Sequence, residues 1–395
     1  MPQISRFLEK TVQETQQSEP EIIAQAFQVG LKRLWREPVL GSYLKGEVTR
    51  EAAIEKAGID WVELAEHQCQ AVLEDIQWGM NPLKKFSSRK LRRPMQFEGI
   101  YTPIITPHSA DGAIDKEAFA EVAEFLISSG VHCIVVGGST GEYYAQTNEE
   151  RIELMNFARE VINQRTLLMV GTGATRTEEA VMLAKAAKQA GADFLLVNSP
   201  PYAVPTDLEN AMHALQIDQA VNLPIMLYNY PGRTGTQMGE EYLERVGRSK
   251  NFFGIKESSG DINRVHLLAR DYPNIGLCCG MDDQALEFFA WGARCWVCAG
   301  SNFLPKEHNA LYEACVLEGD YTKGRRLMLA LMPLMRVLEQ GGKFVQSVKY
   351  GCELTGLRAG PPRLPLQALT PEEKSELEQV INTLQAEISE ILAGN

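Results

Sequence analysis

From Phe97 onward the sequence alternates short apolar runs with longer amphipathic stretches, and it does so eight times. The runs are GIYTPIIT (99–106), CIVVGG (133–138), LLMVGTG (167–173), DFLLVNS (193–199), PIMLYN (224–229), FFGIKE (252–257), IGLCCG (275–280) and CWVCAG (295–300). Strand-length apolar runs separated by helix-length segments are the mark of βα units and a parallel sheet. Eight such pairs predict a closed (β/α)8 TIM barrel, an α/β fold, rather than an open sheet. No G-x-G-x-x-G opens a helix after the first run, which argues against a dinucleotide-binding fold.

The intervening segments carry helix signals. DKEAFAEVAEFLISSG (115–130) begins with acidic residues, repeats apolar positions at spacings of three and four, and stops at Gly130. TEEAVMLAKAAKQAG (177–191) does the same, with Thr177 as the predicted N-cap and Gly191 as the stop. Beyond the eighth strand, segments 321–340, 343–356 and 371–392 have helical periodicity and are joined by the proline-rich AGPPRLPLQALTP (359–371). They are expected to pack as a C-terminal helical appendage beside the barrel.

The resulting layout is an N-terminal helical domain (1–80), a basic linker (81–96), the barrel (97–318) and C-terminal helices (319–395). Within the first domain, VTREAAIEKAGIDWVELAEHQ (48–68) has the rhythm of a helix-turn-helix. Its second half carries Asp60, Glu63 and Glu66, which would repel phosphate, so an oligomerisation or docking module is the preferred reading.

A formal net charge of −12 argues against general nucleic-acid binding. No apolar run approaches the roughly 18–20 residues that cross a bilayer, and the N-terminus lacks the apolar stretch of a signal peptide. A cytoplasmic location is therefore expected. Cys295 and Cys298 form a C-x-x-C, the spacing of a redox pair or half a zinc site. No second C-x-x-C or paired histidine accompanies them, so they read as buried thiols within a strand.

In a (β/α)8 barrel, chemistry sits at the C-terminal ends of the strands. Strand two ends in GGSTGE (137–142), strand four runs into SPPY (199–202), strand five ends in YNYPGRTG (228–235) and strand six in IKES (255–258). Lys256 stands in an apolar strand, where burial disfavours a lysine cation and exposes the neutral amine that attacks carbonyls. The competing reading is a structural salt bridge, but alternation puts Glu257 on the opposite face. Tyr228 ends the neighbouring strand, where a phenol can shuttle protons or merely pack. Ser139 and Thr140 offer hydroxyls and N–H groups on a glycine turn suited to a carboxylate, with Gly138 beside them. Arg233 can hold a second carboxylate bidentately or remain a solvated charge. Val297, at the end of strand eight, completes the candidate binding set.

GGSTGE, YNYPGRTG and GIKESSGD, in this order and spacing, resemble the dihydrodipicolinate synthase/N-acetylneuraminate lyase family across about residues 97–370. The resemblance implies a class I lyase or aldolase that needs no metal or cofactor and binds pyruvate or another 2-oxo acid as a Schiff base. It implies that Lys256 is the Schiff-base lysine, Tyr228 the proton-shuttling phenol and Ser139 the hydroxyl relay. Thr140 matches the residue whose backbone holds the pyruvate carboxylate. Tyr202 matches a tyrosine that enters the neighbouring subunit's site, which implies a homodimer or homotetramer.

Arg233 in the GRTG context matches the arginine that dihydrodipicolinate synthases use for the carboxylate of aspartate semialdehyde, so an aldehyde is the implied second substrate. Other details depart from that branch. GGSTGE is closer to the lyases, Tyr143 and Tyr144 are bulky, and Pro201 replaces a second tyrosine. Asn148 and Arg151 stand where lysine-inhibited members have histidines, so weak or absent inhibition by lysine is expected. Aldolases, dehydratases and deaminases of sugar acids or hydroxy-oxo-acids share the scaffold and form the alternative. A non-enzymatic 2-oxo acid sensor is the remote one, disfavoured by the complete proton relay.

Overall fold

The computed structural model describes residues 97–394 continuously and, towards the N-terminus, residues 38–40, 42–44, 47–59 and 62. The chain divides into two compact units, residues 1–93 and 94–395. In the first, helix Arg50–Ala57 is capped by the Thr49 hydroxyl, which accepts from the Ala52 N–H, and ends at Gly58 with φ 94°. This is the first half of the segment read above as helix, glycine, helix. Asp60, Glu63, Glu66 and the basic stretch 81–96 lie outside the described residues.

The second unit holds eight parallel strands: β1 (Gly99–Pro103), β2 (Cys133–Val136), β3 (Leu167–Gly171), β4 (Phe194–Asn198), β5 (Ile225–Asn229), β6 (Phe252–Glu257), β7 (Gly276–Cys279) and β8 (Cys295–Val297). They pair in sequence order, and β8 returns to β1 with Cys295 opposite Gly99, closing the barrel. The chain is an α/β TIM barrel. Each apolar run of the sequence forms a strand, most of them shorter than the run because its last residues turn into the following loop. CIVVGG, for example, leaves the sheet at Gly137, whose φ of 72° suits a residue without a Cβ.

One helix follows each strand: α1 (Lys116–Ser128), α2 (Asn148–Ile162), α3 (Thr177–Ala190), α4 (Asp207–Val221), α5 (Glu240–Val246), α6 (Ile262–Asp271), α7 (Ala285–Ala290) and α8 (Pro305–Tyr312). Asp115 caps α1 by accepting from the Ala118 N–H, and the helix buries Phe119, Val122, Ala123 and Leu126 against the barrel. The predicted cap of α3 is corrected by one residue. Arg176 holds the cap position without a side-chain bond, and Thr177 is the first helical residue. The Thr177 hydroxyl is engaged by His213 Nδ1 on α4 at 3.0 Å, a tertiary partner that displaces the local one.

Outward strand side chains and inward helix faces form the larger core, while a smaller cluster that includes Tyr101, Met169, Phe194 and Met226 fills the barrel interior. The two thiols of the C-x-x-C separate between these cores. Cys295 faces the interior, its Sγ 3.1 Å from that of Cys278, and Cys298 packs between strands and helices.

Three further helices follow: α9 (Tyr321–Gln340), α10 (Phe344–Leu354) and α11 (Pro371–Leu392). α11 buries Leu377, Ile381, Leu384 and Ile388, one per turn, each stabilising by roughly 1.5–3 kcal/mol. Among the described residues no helix is long and apolar enough to cross a membrane.

Candidate active site

β5 and β6 are neighbours, in a register that places Tyr228 directly opposite Lys256. Strand alternation turns both side chains inward, where each is more than nine-tenths buried. Lys256 Nζ lies over the Tyr228 ring, 4.1 Å from its centre. The salt-bridge reading of Lys256 fails on the outer face. There Glu257 accepts from Asn229 Nδ2 at 2.9 Å through both oxygens and from the Ser259 N–H at 2.8 Å, with Arg264 Nε 3.5 Å away. Gly280, just past β7, leaves room for the lysine stem: a Cβ there would stand 2.7 Å from Lys256 Cγ.

The end of β2 forms a tight turn in which the Gly141 N–H donates to the Gly138 carbonyl and the Glu142 N–H to that of Ser139, both at 3.1 Å. Glu142 closes the turn in the left-handed region, φ 57°. Its buried carboxylate is an anchor: Lys349 Nζ from α10 pairs with one oxygen at 2.8 Å, and the Arg363 N–H donates to the other at 2.8 Å. Lys349 also donates to the Pro361 carbonyl at 2.9 Å and to His108 Nδ1 at 3.1 Å. Burial, and then the Lys349 and Arg363 charges, push the His108 pKa down to about 3, so the imidazole is a neutral acceptor.

Gly138, Ser139, Thr140, Tyr228, Arg233, Lys256 and Val297 line one cavity at the C-terminal mouth of the barrel. Arg233 sits in a single helical turn after β5, its guanidinium 5.4 Å from the Tyr230 ring centre and 5.9 Å from that of Phe344. Tyr202 is not brought into this cavity. It is 95% exposed and held at φ 69° on the surface. Asn148 and Arg151 are committed to internal contacts. Asn148 donates to Glu179 at 2.7 Å, and buried Arg151 donates to the Gly171 and Gly173 carbonyls while standing 5.0 Å from the Tyr143 ring centre.

Strand-end reading does not find every lining residue. Asp282 was within reach of it, two residues beyond the seventh run. Glu339 and Phe344 were not, because they come from α9 and the start of α10. The C-terminal helices are therefore more than an appendage beside the barrel; they contribute to the wall of the cavity. Burial raises the pKa of Asp282 above the usual carboxylate range, against the pull of the Trp296 indole N–H and of Lys256. Glu339 is raised by burial and then by Asp282 and Asp283, again opposed by Lys256.

A parallel barrel whose strand ends gather a buried amine, a phenol, a glycine turn and a guanidinium is that of an aldolase-type lyase. Residues 96–384 match the model of the dihydrodipicolinate synthetase family. The chain is 36% identical over 293 residues to the 4-hydroxy-tetrahydrodipicolinate synthase of Methanoculleus marisnigri, covering 72% of this chain and 98% of that protein. It is 35% identical over 271 residues to the synthase of Exiguobacterium sibiricum, covering 68% and 92%. The solved 4-hydroxy-tetrahydrodipicolinate synthase of Methylacidiphilum fumariolicum SolV superposes with a TM-score of 0.72 at 32% identity, over 75% of this chain and 99% of that one. The chain belongs to the dihydrodipicolinate synthetase family, and residues 1–95 precede the matched region.

Proposed function

We propose that the protein condenses pyruvate with aspartate semialdehyde to 4-hydroxy-tetrahydrodipicolinate through a Schiff base on Lys256. The observation that carries this reading is the Lys256–Tyr228 pair, buried in a cavity whose other walls are the Gly138–Thr140 turn and Arg233. The pyruvate carboxylate rests on the N–H groups of the turn. The Lys256 amine attacks the keto carbon, Tyr228 and Ser139 carry a proton to the carbinolamine oxygen, and water leaves. The iminium then acidifies the pyruvate methyl group, and the resulting enamine attacks the aldehyde. Arg233 holds the carboxylate of the second substrate, and its amine finally displaces Lys256.

Borohydride reduction with pyruvate, followed by intact mass and peptide mapping, tests the first half. The expected adduct is on Lys256, and its absence with every 2-oxo acid tried would refute the enzyme reading. An adduct without turnover would point to a sensor. Turnover of a hydroxy-oxo-acid in place of aspartate semialdehyde would move the assignment to the aldolase branch.

Arg233→Ala is expected to lower kcat/KM for the semialdehyde by about 10- to 100-fold, the equivalent of roughly 1.5–3 kcal/mol for hydrogen bonds between charged groups. Pyruvate trapping should be unaffected. Equal loss in both assays would discredit the assigned role.

Tyr202 serves the site of a second copy of the chain. Its 95% exposure and left-handed backbone, with Val204 beside it 58% exposed, support a side chain that completes its surroundings in an assembly. Lys256→Ala and Tyr202→Phe proteins, each inactive alone, should regain activity when mixed and reassembled, since some sites then combine an intact lysine with an intact tyrosine. No recovery in mixtures shown to exchange subunits would place Tyr202 outside the relay.

A further inference from the structure

Two carboxyl groups share the cavity with the amine, and the steps above use neither. Asp282 is fixed: Oδ1 accepts from Trp296 Nε1 at 2.8 Å and Oδ2 from the Ala299 N–H at 3.1 Å. Glu339 is differently placed. It projects from the last turn of α9 into the cavity that holds Lys256, Tyr228 and Arg233, where it accepts from the Asp282 backbone N–H and belongs to none of the ion pairs among the described residues. The titratable and charged groups around it are Asp282 and Asp283 from the turn after β7, Lys256 from β6, Tyr228 from β5 with Tyr230 and Arg233 just beyond it, and the Cys279 thiol at the end of β7.

We propose that Glu339 is the base that removes a proton from the ammonium group of the second substrate, so that the freed amine can displace Lys256 and close the ring. The inference rests on the functional reading above and adds a residue to it. An ammonium has no lone pair and cannot attack. Its proton passes to the Glu339 carboxylate, and the nitrogen lone pair forms a new C–N bond at the iminium carbon. A second proton moves from that nitrogen to the lysine nitrogen. The old C–N bond then breaks with its electron pair going to Lys256, which leaves as a neutral amine, and the ring nitrogen carries the iminium charge. Glu339, now protonated, returns its proton to the lysine or to water.

Position and environment agree with this task. The cavity places Arg233 for the carboxylate of an α-amino acid and a second wall of carboxyl groups for its ammonium. Burial and the neighbouring Asp282 and Asp283 lift Glu339 out of the ordinary carboxylate range, towards the ammonium it must deprotonate. The carbonyl end of α9 acts in the same direction, since a helix C-terminus disfavours an anion.

The test is Glu339→Gln in the full chain, with two aldehydes. Pyruvate should still be trapped on Lys256 at the wild-type level. Turnover of pyruvate with aspartate semialdehyde should fall by about 100-fold or more, the scale of a lost general base. Succinate semialdehyde lacks the amine, so its condensed adduct should accumulate on Lys256 equally fast in wild type and variant. The wild-type rate should rise with pH as Glu339 ionises, and E339Q should lose that limb while E339D partly restores it. Wild-type turnover in E339Q, or equal slowing with both aldehydes, would overturn the role. If wild-type protein traps pyruvate but does not condense aspartate semialdehyde, the functional reading fails first and takes this role with it.

Discussion

Lys256→Ala should abolish the borohydride-stable pyruvate adduct and lower turnover by on the order of 10⁴-fold or more, while the protein stays folded. The first effect follows from covalent catalysis: without the amine there is no iminium, and the pyruvate methyl group is not acidified. The second follows from the surroundings of the side chain. Among the described residues Lys256 makes no salt bridge, and Glu257 behind it is satisfied by Asn229 and Ser259. Removing the lysine therefore leaves Glu257 paired, while Asp282 and Glu339, losing the charge that favours their ionised forms, take up protons more readily. Mass spectrometry of the trapped protein and a thermal melt by circular dichroism check both halves. An adduct that persists at another lysine would move the catalytic assignment.

The opposite pattern is expected for Lys349→Met, where stability is the first casualty. Lys349 and Glu142 have side chains 2% and 0% exposed, and their 2.8 Å pair joins α10 to the turn after β2. Methionine keeps much of the volume but leaves a carboxylate buried without its cation. Breaking a buried pair in this way costs about 3–5 kcal/mol. His108, 3.6 Å from the carboxylate, is a weak substitute: Lys349 no longer opposes its charge, but burial and Arg363 still do. Urea unfolding should show the loss as a lower midpoint. Because Glu142 closes the turn that includes Ser139 and Thr140, the surviving enzyme should also show a raised KM for pyruvate. Adding Glu142→Gln to Lys349→Met should recover part of the stability, since it removes the stranded charge. A loss below about 1 kcal/mol in the single variant would show that water or Arg363 compensates the carboxylate.

Much of this architecture is local in origin. Eight apolar runs and their amphipathic partners encode strands and helices through periodicities of two and 3.6, which need only neighbouring residues to be read. α9 and α11 fall on the segments 321–340 and 371–392 for the same reason. Helix caps are less secure. The Thr177 hydroxyl answers to His213 on another helix, a partner far away in the chain. The C-x-x-C shows the same limit, since three residues of spacing say nothing about which core each thiol enters.

The site divides along the same line. Lys256 was legible because a lysine in an apolar strand is anomalous by itself, and Tyr228, Ser139, Thr140 and Arg233 because they stand at strand ends in recognisable motifs. Glu339 carries no such signal: it is one glutamate among many on an amphipathic helix. Only the closure of the barrel, and the placement of the end of α9 at the cavity, bring it into the space that the amine also lines. Likewise, Glu142, Lys349 and Arg363 become one anchor only when chain segments more than 200 residues apart meet. By itself the sequence determined the barrel and singled out Lys256 and the strand-end residues that line its cavity, because strand periodicity and strand-end position are short-range properties. The tertiary structure alone decided which carboxyl groups face that amine and what holds the binding turn in place. Burial and long-range charge pairing arise only once distant segments share one cavity.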